Sequence, residues 1–237
     1  MTQIVITQSN YLPWRGWFAM VRSVEMLMYL DDVQYTRRDW RNRNLIMGED
    51  APQWLTIPVQ VAGKYHAKIH EIECANTTWW KSHLSSLDSV YKKYPAYNQF
   101  RQQLGPELEK AGELKFLSQV NQHLNNWLFS ILGVEVSCLS SQDFPSSSNK
   151  SERLADLCTA SGAKTYISGP AAQSYLDESL FHRLNLQVGW IDYELLPELP
   201  KVVRTSRELS IIHLLATLGP DEAIRLSTFR SAPPLAQ

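Results

Sequence analysis

Ile4-Val5-Ile6, then Gln8-Ser9-Asn10-Tyr11-Leu12-Pro13-Trp14-Arg15-Gly16-Trp17, then Met26-Leu27-Met28-Tyr29-Leu30-Asp31-Asp32 carry the reading that decides the fold. The first is a short β-branched run that ends at polar residues, as a buried strand does on entering a loop. From Gly16 onward, Trp17, Phe18, Met20, Val21 and Val24 give a compact helical stretch, and residues 26–30 are again a continuous apolar strand. Strand, loop, helix and strand in this order predict a parallel sheet with a right-handed crossover. Asp31 and Asp32 then fall just beyond the C-terminal end of the second strand, the edge where open α/β sheets bind ligands.

Further along the chain, residues 53–59 read as a strand, with Pro58 at an edge or bulge. Residues 68–73 read as another short strand. Helices are expected over 79–94, over 95–108 with an interruption at Gly105-Pro106, and over 113–132 with Gly133 closing it. A strand over 134–139 and a polar serine-rich loop over 140–149 come after them. Next are a helix over 150–161 capped by Ser148 or Asn149, a strand over 165–168, and a helix beginning at Gly169-Pro170-Ala171-Ala172. A last strand covers 187–193, and an apolar helix over 209–218 is capped by Ser206 and ended by Gly219, before a frayed tail with Pro233-Pro234. The expected architecture is therefore one α/β domain across 1–237, a mostly parallel sheet with flanking helices. A mainly helical insertion takes 76–133 and a second βα half takes 134–219.

The 237 residues include 44% hydrophobic and 20% charged side chains, an ordinary composition for a globular chain. A formal net charge of -1 argues against nucleic acid as a partner, since any basic surface must be local. Cys74, Cys138 and Cys158 are too scattered for a disulfide framework and fit a reducing cytoplasm. The N-terminus lacks the basic start and apolar run of a signal peptide, and no apolar stretch is long enough for membrane insertion.

The candidate site is the polar, aromatic and guanidinium-rich segment from Gln8 to Asn44. Each such group would need its own partner if buried, so the density is unlike core. Arg15 with Arg37, Arg38, Arg41 and Arg43 suits a planar or multiply charged anion. Gln8, Asn10, Gln34, Asn42 and Asn44 suit sugar hydroxyls or a base edge, and Tyr11, Trp14 and Trp40 suit stacking on a ring or, equally, burial in the core. Of the two carboxylates, Asp32 is expected to face the pocket and Asp31 to hold an arginine, with a structural ion pair as the alternative. Ser168 and Gly169 open a turn that either cradles an anion or simply connects strand to helix. His66, His70 and Cys74 recur every four residues without a fourth convergent ligand, so no metal site is assigned and no cofactor is specified. No G-x-S-x-G elbow, P-loop or Rossmann glycine fingerprint occurs.

Gln8-Ser9-Asn10-Tyr11-Leu12-Pro13-Trp14, Leu30-Asp31-Asp32-Val33-Gln34-Tyr35, Arg41-Asn42-Arg43-Asn44 and Trp54-Leu55-Thr56-Ile57-Pro58-Val59 resemble the WbqC-like protein family. The resemblance continues through Lys150-Ser151-Glu152-Arg153-Leu154, Ser168-Gly169-Pro170-Ala171-Ala172 and Tyr175-Leu176-Asp177, in order, over nearly the whole chain. Departures are mild: Trp17 stands where a smaller aromatic is common, and Arg37-Arg38 where lysine or serine occurs. The resemblance implies a bacterial protein associated with surface-polysaccharide or O-antigen gene sets. It supports a cytoplasmic sugar-modification role without naming the bond made or broken, and the reading favoured for the site is a group-transfer enzyme acting on a nucleotide-linked sugar. Asp32 would accept a proton, Arg41 and Arg43 would neutralise phosphate, and Asn10 and Asn44 would orient the acceptor. The expected partner is an anionic small molecule such as a nucleotide-sugar, and the rival reading is a non-catalytic binding or scaffold protein for a glycan-assembly complex. Trp14-Arg15-Gly16-Trp17 is also placed like the H-x-G-H loop of nucleotidyltransferase-like (HUP-like) folds. Tryptophan has no group that titrates near neutrality, so that likeness bears on the fold of the first half rather than on chemistry.

Overall fold

The structure, a computed structural model, describes residues 2–48, 51–147, 149–201, 203 and 209–231. Five parallel strands make the central sheet: β1 (Gln3–Thr7), β2 (Met26–Tyr29), β7 (Ser137–Ser140), β8 (Thr165–Ser168) and β9 (Gln187–Trp190), in the spatial order β7-β2-β1-β8-β9. In chain order this is 3-2-1-4-5, the order of doubly wound nucleotide-binding sheets, and it agrees with the nucleotidyltransferase-like expectation. From β1 the chain builds outward to β2 and β7, then crosses back to add β8 and β9 on the other side. The direction therefore switches between β1 and β8.

Alternation along the buried strands fills both faces. Val5, Leu27, Tyr29 and Ile167 pack on one side against α1 (Arg15–Arg22), α2 (Trp79–Tyr91), α3 (Pro95–Glu113), α4 (Leu117–Leu132), α7 (Ile211–Leu218) and α8 (Pro220–Leu226). Ile4, Ile6, Met28, Tyr166 and Val188 pack on the other against α5 (Lys150–Ala160) and α6 (Glu178–Arg183). Between β2 and α2 lie two small antiparallel pairs, β3 (Arg43–Met47) with β4 (Pro52–Thr56) and β5 (Val59–Gln60) with β6 (Glu73–Cys74).

Several boundaries differ from expectation for identifiable reasons. The expected strand over 53–59 divides, because Ile57 N–H turns to Asn42 O at 2.7 Å and Pro58 has no N–H to continue the ladder. Residues 68–73 form a 3-10 turn, Ile69–Glu71, because the Glu71 carboxylate accepts from Lys68 N–H at 2.7 Å. Helix α3 runs unbroken through Pro106 to Glu113. Proline inside a helix costs about 3 kcal/mol, but Phe100, Leu104 and Leu108 are buried on one face, and each contributes about 1.5–3 kcal/mol. Asn149 caps α5 by accepting from Ser151 N–H at 3.3 Å, and Ser210 caps α7 by accepting from Ile212 N–H at 3.3 Å. The caps expected at Ser148 and Ser206, and the tail at Pro233-Pro234, lie outside the described residues. The turn after β8 is 3-10, Pro170–Ser174, and α8 was not anticipated.

One buried tie joins the loop after β1 to α2 and the β3–β4 hairpin. His83 Nε2–H donates to Thr56 O at 3.1 Å, which leaves Nδ1 as the acceptor for the Tyr11 hydroxyl at 2.8 Å. Burial disfavours the imidazolium and holds His83 down to about 4. A folded value below the unfolded value of about 6.5 means that the unfolded chain binds the proton first, so the contribution is present above pH 6.5 and lost towards pH 4. Urea unfolding should show stability falling by up to about 1.4 kcal/mol per pH unit from this residue across that window. His83→Gln should flatten the slope, and identical slopes in wild type and variant would contradict the assignment.

Candidate functional site

The loop after β1 is held by backbone-directed bonds from four other elements. Tyr11 N–H donates to Trp40 O at 2.9 Å, and Ile211 N–H donates to Pro13 O at 2.8 Å. From α4, the buried Asn121 amide donates to Ser9 O at 3.2 Å and to Arg41 O at 2.9 Å. From β3, the Asn44 amide donates to Tyr11 O at 3.0 Å and Leu12 O at 2.8 Å. Between these carbonyls Leu12 sits at a φ of 43°, the left-handed region. That conformation costs a non-glycine residue about 1–2 kcal/mol, comparable with the two bonds from Asn44 at about 0.5–1.5 kcal/mol net each. The turn sends Trp14 back over the start of α1, so that a Cβ on Gly16 would lie 2.2 Å from the indole. Only glycine leaves room for that ring.

Trp14 is thereby placed 4.9 Å from Tyr193, ring centre to ring centre, on the wall of a cleft of about 1180 Å3. Three strand ends build it: Asn10, Pro13, Trp14 and Arg15 follow β1, Pro170 and Gln173 follow β8, and Trp190 to Glu194 end and follow β9. This is the C-terminal edge at the switch between β1 and β8, the position at which doubly wound sheets bind ligands. Trp40, Asn44, Pro197, Glu198 and Arg230 are also in the lining. The lining combines four rings (Trp14, Trp40, Trp190, Tyr193), three amides (Asn10, Asn44, Gln173), three carboxylates (Asp192, Glu194, Glu198) and two guanidiniums. Arg15 donates to Pro197 O at 2.7 Å and Leu226 O at 3.0 Å, and Arg230 donates to Glu194 O at 2.7 Å and Leu195 O at 3.2 Å. The two arginines thus clamp the segment after β9 and set its carboxylates in the cleft. Asn10 Oδ1 is buried without a protein partner among the described residues.

The other residues singled out in the sequence lie away from the cleft lining. Tyr11 is fully buried in the tie to His83. Gln8 accepts from Arg41, whose other contact is Asp39 at 3.1 Å, and burial lowers the Arg41 guanidinium from its usual range while Asp39 opposes that shift. Arg43 lies 4.0 Å over the Trp54 ring, Asn42 donates to Ile57 O at 2.9 Å, and Gln34 donates to Tyr65 O at 2.8 Å. Ser168 is buried and accepts from the Tyr166 hydroxyl at 3.1 Å, while Gly169 lies under Tyr193. Asp31, expected to hold an arginine, is buried instead against Ser9 N–H at 2.9 Å and Gln122 at 3.1 Å, and burial pushes its carboxyl above the usual range. Asp32 holds the arginine: it pairs with Arg153 of α5 and accepts from the Ser141 hydroxyl at 2.5 Å. Both its oxygens are engaged, and it does not line the cleft.

Trp190, Asp192, Glu194, Gln173 and Arg230 are cleft residues that the sequence reading missed. The signal for the first three was present, because they end and follow a strand of the same sheet and the strand-edge rule applied to Asp31 applies equally to them. Among the described residues no group of three or more His, Cys, Asp or Glu side chains is placed to hold a metal ion, and His70 Nδ1 is occupied by Asp31 O at 2.9 Å. No helix among the described residues is long and apolar enough to cross a membrane.

The chain belongs to the WbqC-like protein family, whose profile matches residues 8–225. It is 40% identical over 194 residues to the uncharacterized protein Rv1507c of Mycobacterium tuberculosis (strain ATCC 25618 / H37Rv), an alignment covering 82% of this chain and 84% of that protein. No solved structure matches the chain.

The position of Asp32 gives a direct expectation. Asp32→Asn should lower stability by about 1.5–3 kcal/mol, because a largely buried guanidinium loses its charged acceptor. Urea unfolding of the variant checks this, and an unchanged midpoint would mean that the pair with Arg153 contributes nothing.

Proposed function

We propose that this protein is a group-transfer enzyme of bacterial surface-polysaccharide precursor biosynthesis, and that its cleft takes the sugar-bearing part of a nucleotide-linked sugar. The observation that carries this reading is the cleft itself, which joins ring surfaces to amides and carboxylates at the crossover between β1 and β8. A sugar ring presents an apolar face and a rim of hydroxyls, which fits Trp14 and Tyr193 on one side and Asn10, Gln173 and Asp192 on the other. The buried Asn10 Oδ1 accepts from a ligand hydroxyl. The first turn of α1 opens on the cleft without a side-chain cap, and with Arg15 and Arg230 it supplies positive charge for the diphosphate.

In this reading the base is Asp192. Its Oδ1 accepts from Glu194 N–H at 2.9 Å, which holds the carboxylate, and Oδ2 takes the proton. The acceptor hydroxyl or amine gives that proton to Asp192 while its lone pair forms the bond to the donor's electrophilic carbon. The bond from that carbon to its leaving group breaks, and the pair leaves with the group. A non-catalytic binding or scaffold role is favoured by one observation, that the carboxylate the sequence offered for chemistry, Asp32, is locked in an ion pair.

Two measurements on Asp192→Asn separate the readings. Turnover of a nucleoside-diphosphate sugar with its donor should fall by about 10²-fold or more, while calorimetric affinity changes much less. Full turnover in the folded variant would remove Asp192 from the chemistry. Tight binding with no turnover in wild type, across UDP-, GDP- and dTDP-linked sugars and acyl and amino-acid donors, would favour the binding protein.

A further inference from the structure

The β3–β4 hairpin presents one face to the molecule and one to solvent. Asn44, Ile46 and Leu55 point inward and are buried, while Arg43, Leu45 and Trp54 alternate outward. Leu45 pairs directly with Trp54, so Arg43, two residues away on the same face, is the diagonal neighbour of that indole. Its guanidinium lies 4.0 Å over the Trp54 ring. Trp54 is nevertheless 43% exposed, among the few large hydrophobic side chains left open to solvent. Its ring centre is 5.4 Å from that of Trp40, which lines the cleft. A cation-backed pair of indoles therefore extends the cleft beyond its rim.

We infer that this platform is a subsite for the nucleobase of the nucleotide-linked ligand. The inference rests on the cleft assignment above and divides the ligand within it. The outward face of the hairpin offers ring surface and a cation, with no carboxylate or amide among Arg43, Leu45 and Trp54. A pyranose needs partners for several hydroxyls, and those partners, Asn10, Gln173 and Asp192, lie in the cleft. A base has two π faces and few polar edge groups, so stacking alone suffices to hold it. Arg43 already covers part of Trp54, which leaves this indole for a single stacked ring. Stacking of this kind tolerates any base, so discrimination between uridine, guanosine and thymidine nucleotides at the platform is weak.

The test is calorimetry of wild type, Trp54→Ala and Trp54→Tyr with three probes: UDP-N-acetylglucosamine, UDP, and N-acetylglucosamine 1-phosphate, the last lacking the nucleoside. Trp54→Ala should weaken UDP and the nucleotide-sugar by about 5- to 150-fold, the range for losing one stacked base, and leave the sugar phosphate unchanged. Trp54→Tyr keeps a ring on an exposed strand position and should retain most of the affinity. Equal weakening of the sugar phosphate would place the sugar on the platform and overturn the inference, as would unchanged affinity of Trp54→Ala for all three. If wild type binds none of these probes, nor GDP-mannose and dTDP-glucose, the cleft assignment fails first and takes the subsite with it.

Discussion

The cleft depends on one buried amide. Asn44 donates to two consecutive carbonyls, Tyr11 O and Leu12 O, and so holds Leu12 in a left-handed conformation that its side chain disfavours. Its own carbonyl accepts from Leu45 N–H at 2.7 Å, which fixes the amide's orientation and leaves its N–H groups facing the loop. The bonds with Trp40, Ile211 and Asn121 hold the loop after β1 on either side, and this constraint sets the turn at Leu12 between them that brings Trp14 over Gly16 to form the first wall of the cleft. The hairpin that carries Trp54 and the loop that carries Trp14 are therefore joined by the same side chain.

Charge in the segment from Gln8 to Asn44 is spent largely on architecture. Arg41 is fastened to Gln8 and Asp39, and its carbonyl accepts from Asn121 of α4, so this arginine and amide cluster welds the loop after β1 to the turn before β3. Asp32 and Arg153 join the end of β2 to α5, a tie between the two halves of the sheet. Around the cleft the balance reverses: three carboxylates stand beside two guanidiniums, and both guanidiniums donate to backbone carbonyls. A ligand there meets hydrogen-bond acceptors and rings as much as positive charge, which is why the sugar-bearing part is assigned to the cleft.

The parallel sheet is legible because β1 and β2 are built on apolar runs that flank one short helix, and the strand expected over 165–168 has the bounds of β8. The partner-dependent strand β3 is not, since Arg43-Asn44-Leu45-Ile46-Met47 opens with polar residues whose strand character comes from pairing with β4 and from docking of Asn44, neither of which is local. The same cause puts Arg41 and Asn42 outside the cleft lining. A dense polar run signals many hydrogen bonds, but only the fold decides whether their partners are carbonyls or ligand. Of the residues expected at the site, Asn10, Trp14, Trp40, Arg15 and Asn44 line the cleft, three of them on the loop that leaves β1 at the sheet's C-terminal edge. The contribution of β9 went unread because Trp190 and Asp192 are few in number and stand in no conspicuous cluster.

The central claim is that ligand binds where β1, β8 and β9 end. Amide hydrogen exchange on the whole chain, with and without UDP-N-acetylglucosamine, GDP-mannose or dTDP-glucose, reads this directly. The account predicts added protection in 9–14, 169–174 and 190–199, with none at 32–34 or 141–144. Protection confined to the segments around Asp32 and Ser141, with the three strand ends unchanged, would contradict it.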